Sequence, residues 1–146
     1  MKSTSIAAAA LVCVVSFAQA ADNAVFAPAG DLKWQDVPDA KGVQIATIPG
    51  QGDPGKGASH FFLKFAPGFS APVHHHTSNH YVTVVSGTLV LTVDGKDHKL
   101  PAGSYVAFTG KKPHATKCEA GADCVLAMDV RGKWDVVAPK AAAKKK

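Results

Sequence analysis

Histidines are the residues of this sequence whose type and spacing could do chemistry. The chain holds seven of them, and four fall within residues 74–80. His74 and His76 are two apart, so on a β-strand both side chains point to the same face. His80 shares that face if the chain between is extended or makes a short turn. Because neutral imidazole binds Zn, Cu, Fe and Ni, the cluster predicts a site for one divalent transition metal.

A second segment has to supply a further ligand to close such a site. His114 follows Pro113 at the predicted start of a later strand, and antiparallel strands bring distant residues side by side. The predicted metal ligands are therefore His74, His76, His80 and His114. The alternative for His80 is a histidine beside a three-ligand site, facing the ligands or the substrate.

The other three histidines are weaker candidates. His75 lies between two inward-facing positions and is expected to face away from them. His98 follows a turn and is expected at the surface. His60 could point between the sheets, but a structural role with a hydrogen-bond partner is the preferred interpretation.

The elements that must position these residues are short strands. No stretch after residue 22 has a sustained helical period with caps, and Gly/Pro turns such as Asp94-Gly95 separate apolar-polar segments. This texture predicts an all-β protein, an antiparallel sandwich or jelly-roll barrel. The predicted strands are residues 32–37, 43–48, 60–65, 73–76, 80–85, 88–93, 97–100, 104–108, 114–118, 124–130 and 134–137.

The spacing of the glycines around the histidines resembles that of the cupin family. The first cupin motif is Gly, five residues, His-x-His, three or four residues, Glu, six residues and Gly. Gly68, His74, His76, His80 and Gly87 follow these spacings. The second motif is matched by Gly95, by Pro101-Ala102-Gly103 and by His114. The resemblance covers about residues 60–130 and implies a jelly-roll β-barrel with one metal site, as in small exported bacterial cupins of unassigned function.

His80 stands where the cupin motif has glutamate. Four neutral imidazoles leave the full charge of a divalent metal uncompensated, which lowers the pKa of a bound water and favours an anionic ligand. Hard ions such as Mg and Ca become poor occupants, which leaves Fe, Zn, Mn, Ni or Cu. Cupins with three or four histidines occur, so the substitution is compatible with a site; the alternative is a degenerate cupin with an empty barrel.

Two classes of function fit this site. The first is a metal-dependent enzyme (a dioxygenase, isomerase or hydrolase) that acts on a small anionic or carbonyl substrate, and it is the preferred hypothesis. Candidate substrate-positioning residues are Asn79, Tyr105 and Phe108; Tyr81 is less favoured because it alternates with His80. The catalytic groups stay unknown, since no carboxylate falls in either motif. The second class is a non-catalytic protein that binds a metal or small ligand.

The ends of the chain carry different signals. Residues 1–20 have a basic start, an apolar run and a small-x-small site at Ala18-Gln19-Ala20, which predicts a cleaved signal peptide and a periplasmic or secreted protein. A retained anchor and lipid attachment at Cys13 are the alternatives. No stable membrane insertion is expected, because the apolar run is short.

The organisation of the remaining chain follows from these signals. We expect an N-terminal arm with edge strands at 21–58, the β-barrel at 59–138 and a basic disordered tail at 139–146. The formal net charge is +5, and lysines of the tail account for most of it. Without a basic stripe in the body, nucleic-acid binding is not expected. The cupin resemblance also implies a possible homodimer paired through the edge strand at 32–37.

Cys118 and Cys124 flank a loop of turn-forming residues between two predicted strands. A hairpin there would place the two cysteines opposite each other, and export would expose them to oxidising conditions. A disulfide is the preferred hypothesis. The alternatives are two free thiols and, less favoured, participation in the metal site.

Overall fold

A computed structural model describes residues 24–139. Apart from the short 3-10 turn Ala29–Asp31, its regular elements are ten strands. The predicted signal peptide, and all of the predicted basic tail except Pro139, lie outside the described residues. No helix within 24–139 is long and apolar enough to cross a membrane. The strands are β1 Gln35–Asp36, β2 Val43–Thr47, β3 Ser59–Phe65, β4 Ser70–His74, β5 His80–Ser86, β6 Thr88–Val93, β7 Lys96–Pro101, β8 Tyr105–Phe108, β9 His114–Cys118 and β10 Cys124–Val130.

The strands form two antiparallel sheets that confirm the predicted jelly roll. One sheet has six strands in the order β1-β2-β3-β10-β5-β8, and the other has four in the order β4-β9-β6-β7. The sheets face each other as a sandwich and do not close into a continuous hydrogen-bonded barrel. Gly87 alone connects β5 to β6, so the chain passes from one sheet to the other within a single residue.

The core lies between the two sheets because alternate residues of each strand are apolar. Every second residue of β10 is buried, and the inward side of β3 is buried in the same way. Burial of such side chains contributes about 25 cal/mol per Å² of apolar surface. The largest side chains that are fully buried include Phe61, Leu89, Val84 and Val130.

Two local predictions are wrong. Strand β4 ends at His74, so His76 lies beyond the strand that was expected to carry both residues. Residues 134–137 are not a strand; their one ladder contact is an isolated bridge between Val137 and His75. Long-range contacts hold both stretches, and the apolar-polar alternation of the sequence does not report such contacts.

The two cysteines of the described chain are joined, but not across a hairpin. The Sγ atoms of Cys118 and Cys124 lie 2.09 Å apart, and neither residue is exposed to solvent. Because β9 belongs to the four-stranded sheet and β10 to the six-stranded sheet, the bond links the two sheets. The predicted hairpin is therefore wrong: residues 119–123 cross from one sheet to the other.

Candidate metal centre

The histidines predicted as ligands come together at one end of the sandwich. His74 is the last residue of β4 and pairs directly with His114, the first residue of β9. His80 is the first residue of β5, and His76 lies in the segment between β4 and β5. All four side chains are buried, with relative exposures of 3–7%. The strand ends thus gather four imidazoles that lie up to 40 residues apart in the sequence.

Three of these histidines form the tightest group. One ring nitrogen from each of His74, His76 and His114 lies within 4.8 Å of the other two. The His80 ring centroid is 4.6 Å from that of His76 but 6.4 Å from that of His114. His80 therefore borders the three-histidine group, on the side of His76.

Each of the four rings is oriented by a backbone carbonyl. The Nδ1 atoms of three rings bond the carbonyl oxygen two residues earlier in the chain, and His76 Nδ1 bonds the carbonyl oxygen of Asp135. A carbonyl oxygen only accepts, so each Nδ1 carries the proton and each Nε2 keeps a free lone pair for a metal. The three local bonds are His74 to Pro72 (2.7 Å), His80 to Ser78 (3.2 Å) and His114 to Lys112 (3.0 Å).

Aromatic rings pack against this cluster. Trp134 stacks on His76 with a centroid distance of 4.0 Å, and Phe108 stacks on His114 at 4.2 Å. The Phe108 ring also stacks on that of His80, at a centroid distance of 4.9 Å. These rings exclude water from the sides of the imidazoles and fix their planes.

The surroundings of the cluster favour neutral imidazole, the form that binds metal. Burial lowers the pKa of His76 from 6.5 to about 3, against the opposing effect of its bond to Asp135. Burial likewise lowers the pKa of His114 to about 4 and depresses that of His80. At neutral pH these three side chains are uncharged and require no proton loss before they can bind a metal.

The C-terminal segment, residues 131–137, holds His76 in place. The Asp135 carboxylate accepts hydrogen bonds from the backbone N (2.8 Å) and Oγ1 (2.6 Å) of Thr77, while its carbonyl accepts from His76. Burial opposes ionisation of Asp135, but the two bonds from Thr77, together with the nearby His76 and His75, hold the pKa of this carboxyl below its usual value. Ser78 Oγ donates to the Lys133 carbonyl at 2.9 Å. Sequence reasoning missed Asp135 and Trp134, because no local spacing signals a contact 58 residues away.

A cavity of about 450 Å³ lies between the sheets, with the four histidines in its wall. Its other lining residues come from the core, from the N-terminal arm and from the C-terminal segment. Asp36 lies on the exposed strand β1, and Val136 is 65% exposed. The lining therefore reaches the protein surface at the arm and at the C-terminal segment.

The remaining candidates of the sequence analysis lie mostly outside this cavity. Tyr81 and Tyr105 stack on each other, at a centroid distance of 6.5 Å, on the outer side of the six-stranded sheet. Asn79 Oδ1 accepts from the Gly110 N at 2.8 Å and so supports a turn. Phe108 alone among the four proposed positioning residues lines the cavity.

The three other histidines follow their expected placement. His75 is half-buried, and its backbone pairs with Val137 outside the three-histidine group. His98 is exposed. His60 lies on the outer face, where its Nε2 is 3.2 Å from Asp129 Oδ1.

The fold and the buried histidines define a jelly-roll protein with a candidate transition-metal centre between its sheets. Comparison with known families agrees: the model of the Cupin domain matches residues 61–130. The chain belongs to the cupin superfamily. Comparison with curated proteins found no match.

Solved structures share the fold at low sequence identity. The polyketide cyclase RemF from Streptomyces resistomycificus is 19% identical with a TM-score of 0.66, over 80% of this chain and 86% of that chain. A predicted oxalate decarboxylase from Thermotoga maritima is 17% identical with a TM-score of 0.60, over 75% and 98%. An RmlC-like cupin from Ralstonia eutropha JMP134 is 27% identical with a TM-score of 0.59, over 75% and 69%.

Proposed function

We propose that this protein is a metal-dependent enzyme whose single divalent transition metal binds to His74, His76, His114 and His80. The observation that carries the proposal is the common orientation of the four rings. Each Nδ1 donates to a backbone carbonyl, so each Nε2 is free to bind. Histidine ligands of metals typically have this arrangement, because the carbonyl fixes both the tautomer and the ring plane.

The ligand set selects the metal by chemistry. Imidazole nitrogen suits Fe, Zn, Mn, Ni and Cu better than Mg or Ca. No carboxylate belongs to the three-histidine group, and His80, its buried neighbour, is also a neutral donor. When bound, the metal would supply an uncompensated positive charge that polarises a carbonyl or stabilises an oxyanion.

The cavity favours an enzyme over a protein that only binds a metal ion. The cavity of about 450 Å³ has the size of a small-molecule site, about 300–1,000 Å³. A closed four-ligand metal site needs no such space, whereas a substrate does. Two of the similar structures carry enzyme names, a polyketide cyclase and a predicted oxalate decarboxylase. The substrate class proposed here is a small anionic or carbonyl compound, and the reaction is an oxygenation, isomerisation or hydrolysis.

A non-catalytic binding protein is the second candidate. Asp36 is the one carboxylate among the described residues that line the cavity, and it lies on the exposed strand β1. Among the described residues, the lining therefore includes no carboxylate on the strands that carry the histidines, where a general base would be expected. A protein that only binds a metal or a small ligand needs none.

We further propose that the mature protein is periplasmic or secreted and starts at Ala21. The apolar run and cleavage site of residues 1–20 support export. The joined pair Cys118 and Cys124 also fits an oxidising compartment. A homodimer through the N-terminal arm is part of the same proposal, and sedimentation of the mature chain tests it.

Metal analysis of the mature chain, residues 21–146 purified without a histidine tag, tests the proposal. We expect about one equivalent of a transition metal in the wild type and in His98→Ala, whose histidine is exposed and distant. His76→Ala and His114→Ala should both lose it. A wild type that holds less than about a tenth of an equivalent, and takes up none when Zn, Fe or Mn is supplied, contradicts the proposal.

Substitution of Co(II) for the native metal then separates the two classes of function. Addition of substrate analogues changes the visible spectrum if the metal keeps an open position, as an enzyme requires. A tetrahedral spectrum that no small anion or carbonyl compound alters favours the binding protein.

A further inference from the structure

We infer that the ligand of the cavity is a largely apolar molecule with one oxygen donor for the proposed metal, an aromatic phenol or enol by class, and not a polyanion. The inference rests on the proposed metal site and narrows its substrate. It follows from the contrast between the histidine wall of the cavity and all its other walls.

The walls away from the histidines are mainly apolar, with Gln35, Asp36 and Thr116 as the polar exceptions. Core side chains of both sheets and the arm supply them, among them Ile45, Leu63, Phe65, Phe69 and Met128. A ligand that covers these surfaces gains binding free energy in proportion to the apolar area removed from water. A sugar or a small dicarboxylate would instead leave its polar groups without partners there.

Charge in the cavity favours a ligand whose anionic oxygen lies at the proposed metal site and nowhere else in the cavity. Asp36 is the sole ionisable residue besides the histidines among the described lining residues, and its carboxylate accepts a bond of 3.0 Å from Gln44 Nε2. The described lining contains no lysine or arginine that could pair with a second anion. Burial of an unpaired carboxylate is strongly unfavourable, so only an anionic oxygen at the proposed metal would be compensated.

Aromatic rings line the cavity at two places. Trp134 and Phe108 border the histidines, and Phe65 stacks on Phe69 at a centroid distance of 4.7 Å in another part of the wall. Edges and faces of such rings pack well against a planar ligand. The volume of 450 Å³ falls in the range of ordinary small-molecule sites, about 300–1,000 Å³.

The inference is tested by comparing the affinities of the mature chain for two probes. The apolar probe is 2-naphthol, and the dianion is oxalate. The metal content of each sample is measured first, and binding is then followed by calorimetry and by the Co(II) spectrum. We expect 2-naphthol to bind at least about tenfold more tightly than oxalate and to change the Co(II) spectrum. Tighter binding of oxalate to metal-loaded protein overturns the inference and leaves the metal site standing.

Two cavity variants locate the probe. Ala40→Phe and Val136→Phe each add a ring to the cavity wall, and Val136 is exposed enough to accept one without disturbing the core. Both should weaken 2-naphthol binding by about tenfold or more. The matched control, Ala102→Phe, lies in the exposed turn after β7 and should bind as the wild type does.

The same variants distinguish the two proposals if the protein holds no metal. In that case the proposed metal site fails, but the apolar cavity remains and 2-naphthol should still bind in a manner sensitive to Val136→Phe. Binding that ignores both cavity variants contradicts the inference, with metal or without it.

Discussion

The two ends of the β-sandwich hold their sheets together in different ways. Strand β9 starts on His114 and ends on Cys118, so about 13 Å separates a candidate metal ligand from the disulfide at 3.3 Å per residue. At the disulfide end, a covalent bond and the one-residue connection Gly87 join the sheets. At the histidine end, hydrogen bonds and stacked rings bring the four imidazoles together.

These two ends are expected to make different contributions, one to the stability of the fold and the other to metal binding. Gly87 has a φ of +75°, and a Cβ there would lie 2.5 Å from the Asp123 carbonyl oxygen, so the disulfide end has one tightly fitted arrangement. The histidine end instead buries polar rings whose protonated forms are disfavoured. We expect the first end to stabilise the fold without a ligand and the second to depend on metal.

The largest expected effect is the loss of metal from His114→Ala. Its Zn affinity should fall by more than about a hundredfold, because the variant removes a member of the three-histidine group. His80→Ala removes the proposed ligand that lies outside this tightest group, and it should lose less, about tenfold. Competition with a chromophoric chelator measures both. The division of the two ends breaks down if the double variant Cys118→Ala/Cys124→Ala also loses metal.

Acid should destabilise the metal-free protein through the histidine end. In the folded protein the pKa values of His76 and His114 are about 3 and about 4, below the ordinary value of 6.5 that applies to the unfolded chain. The unfolded chain therefore binds more protons between these limits, and stability falls as pH drops below about 6.5. Above that pH both histidines are neutral in the folded and in the unfolded protein, so their contribution to stability no longer changes with pH.

Denaturant unfolding at a series of pH values measures this effect. We expect the metal-free wild type to lose a few kcal/mol between pH 7 and pH 4, and His76→Ala to lose less. Equal losses in both would assign the acid sensitivity to other groups. Bound metal should protect the protein down to the pH at which protons displace it.

The sequence predicted the fold well because its signals are local. Alternation marks β3, β10 and their neighbours, and Gly/Pro turns mark the ends of the strands. The assignment of His74, His76, His80 and His114 as metal ligands rested on the cupin motif as much as on the geometry of β-strands. Their ring orientations needed the structure.

The failures have a physical cause in long-range contacts. Residues 134–137 have the alternation of a strand, yet one isolated bridge, the hydrogen bonds of Asp135 and the packing of Trp134 on His76 hold them. The segment 118–124 has the composition of a hairpin loop, and a crossing between sheets uses the same turn-forming residues. Composition does not distinguish the two, since each only requires a sharp turn at the surface.

Removal of the disulfide should cost stability and leave the metal site intact. Closure of a loop of about seven residues contributes about 2 kcal/mol in the chain-entropy model. Cys118→Ala/Cys124→Ala should lose at least that much in urea unfolding, because both residues are also fully buried. The rise in melting temperature on addition of Zn should match that of the wild type. A smaller rise would mean that the two ends are coupled.

The smallest expected effect lies within the histidine end, at Asp135. The Asp135 carboxylate accepts hydrogen bonds from Thr77. We expect this contact to keep the Asp135 carbonyl within hydrogen-bond distance of His76 Nδ1. Asp135→Ala removes the anchor and leaves the carbonyl in place, so Zn affinity should fall by about tenfold, as is usual for groups that orient a ligand. Asp129→Ala is the matched control, because its carboxylate pairs with Arg131 at 2.6 Å and with His60 on the outer sheet face. Equal affinities of the two variants would show that His76 needs no support from the C-terminal segment, whereas a loss confined to Asp135→Ala, with an NMR shift of the His76 Nδ1 proton, would assign Asp135 the positioning role.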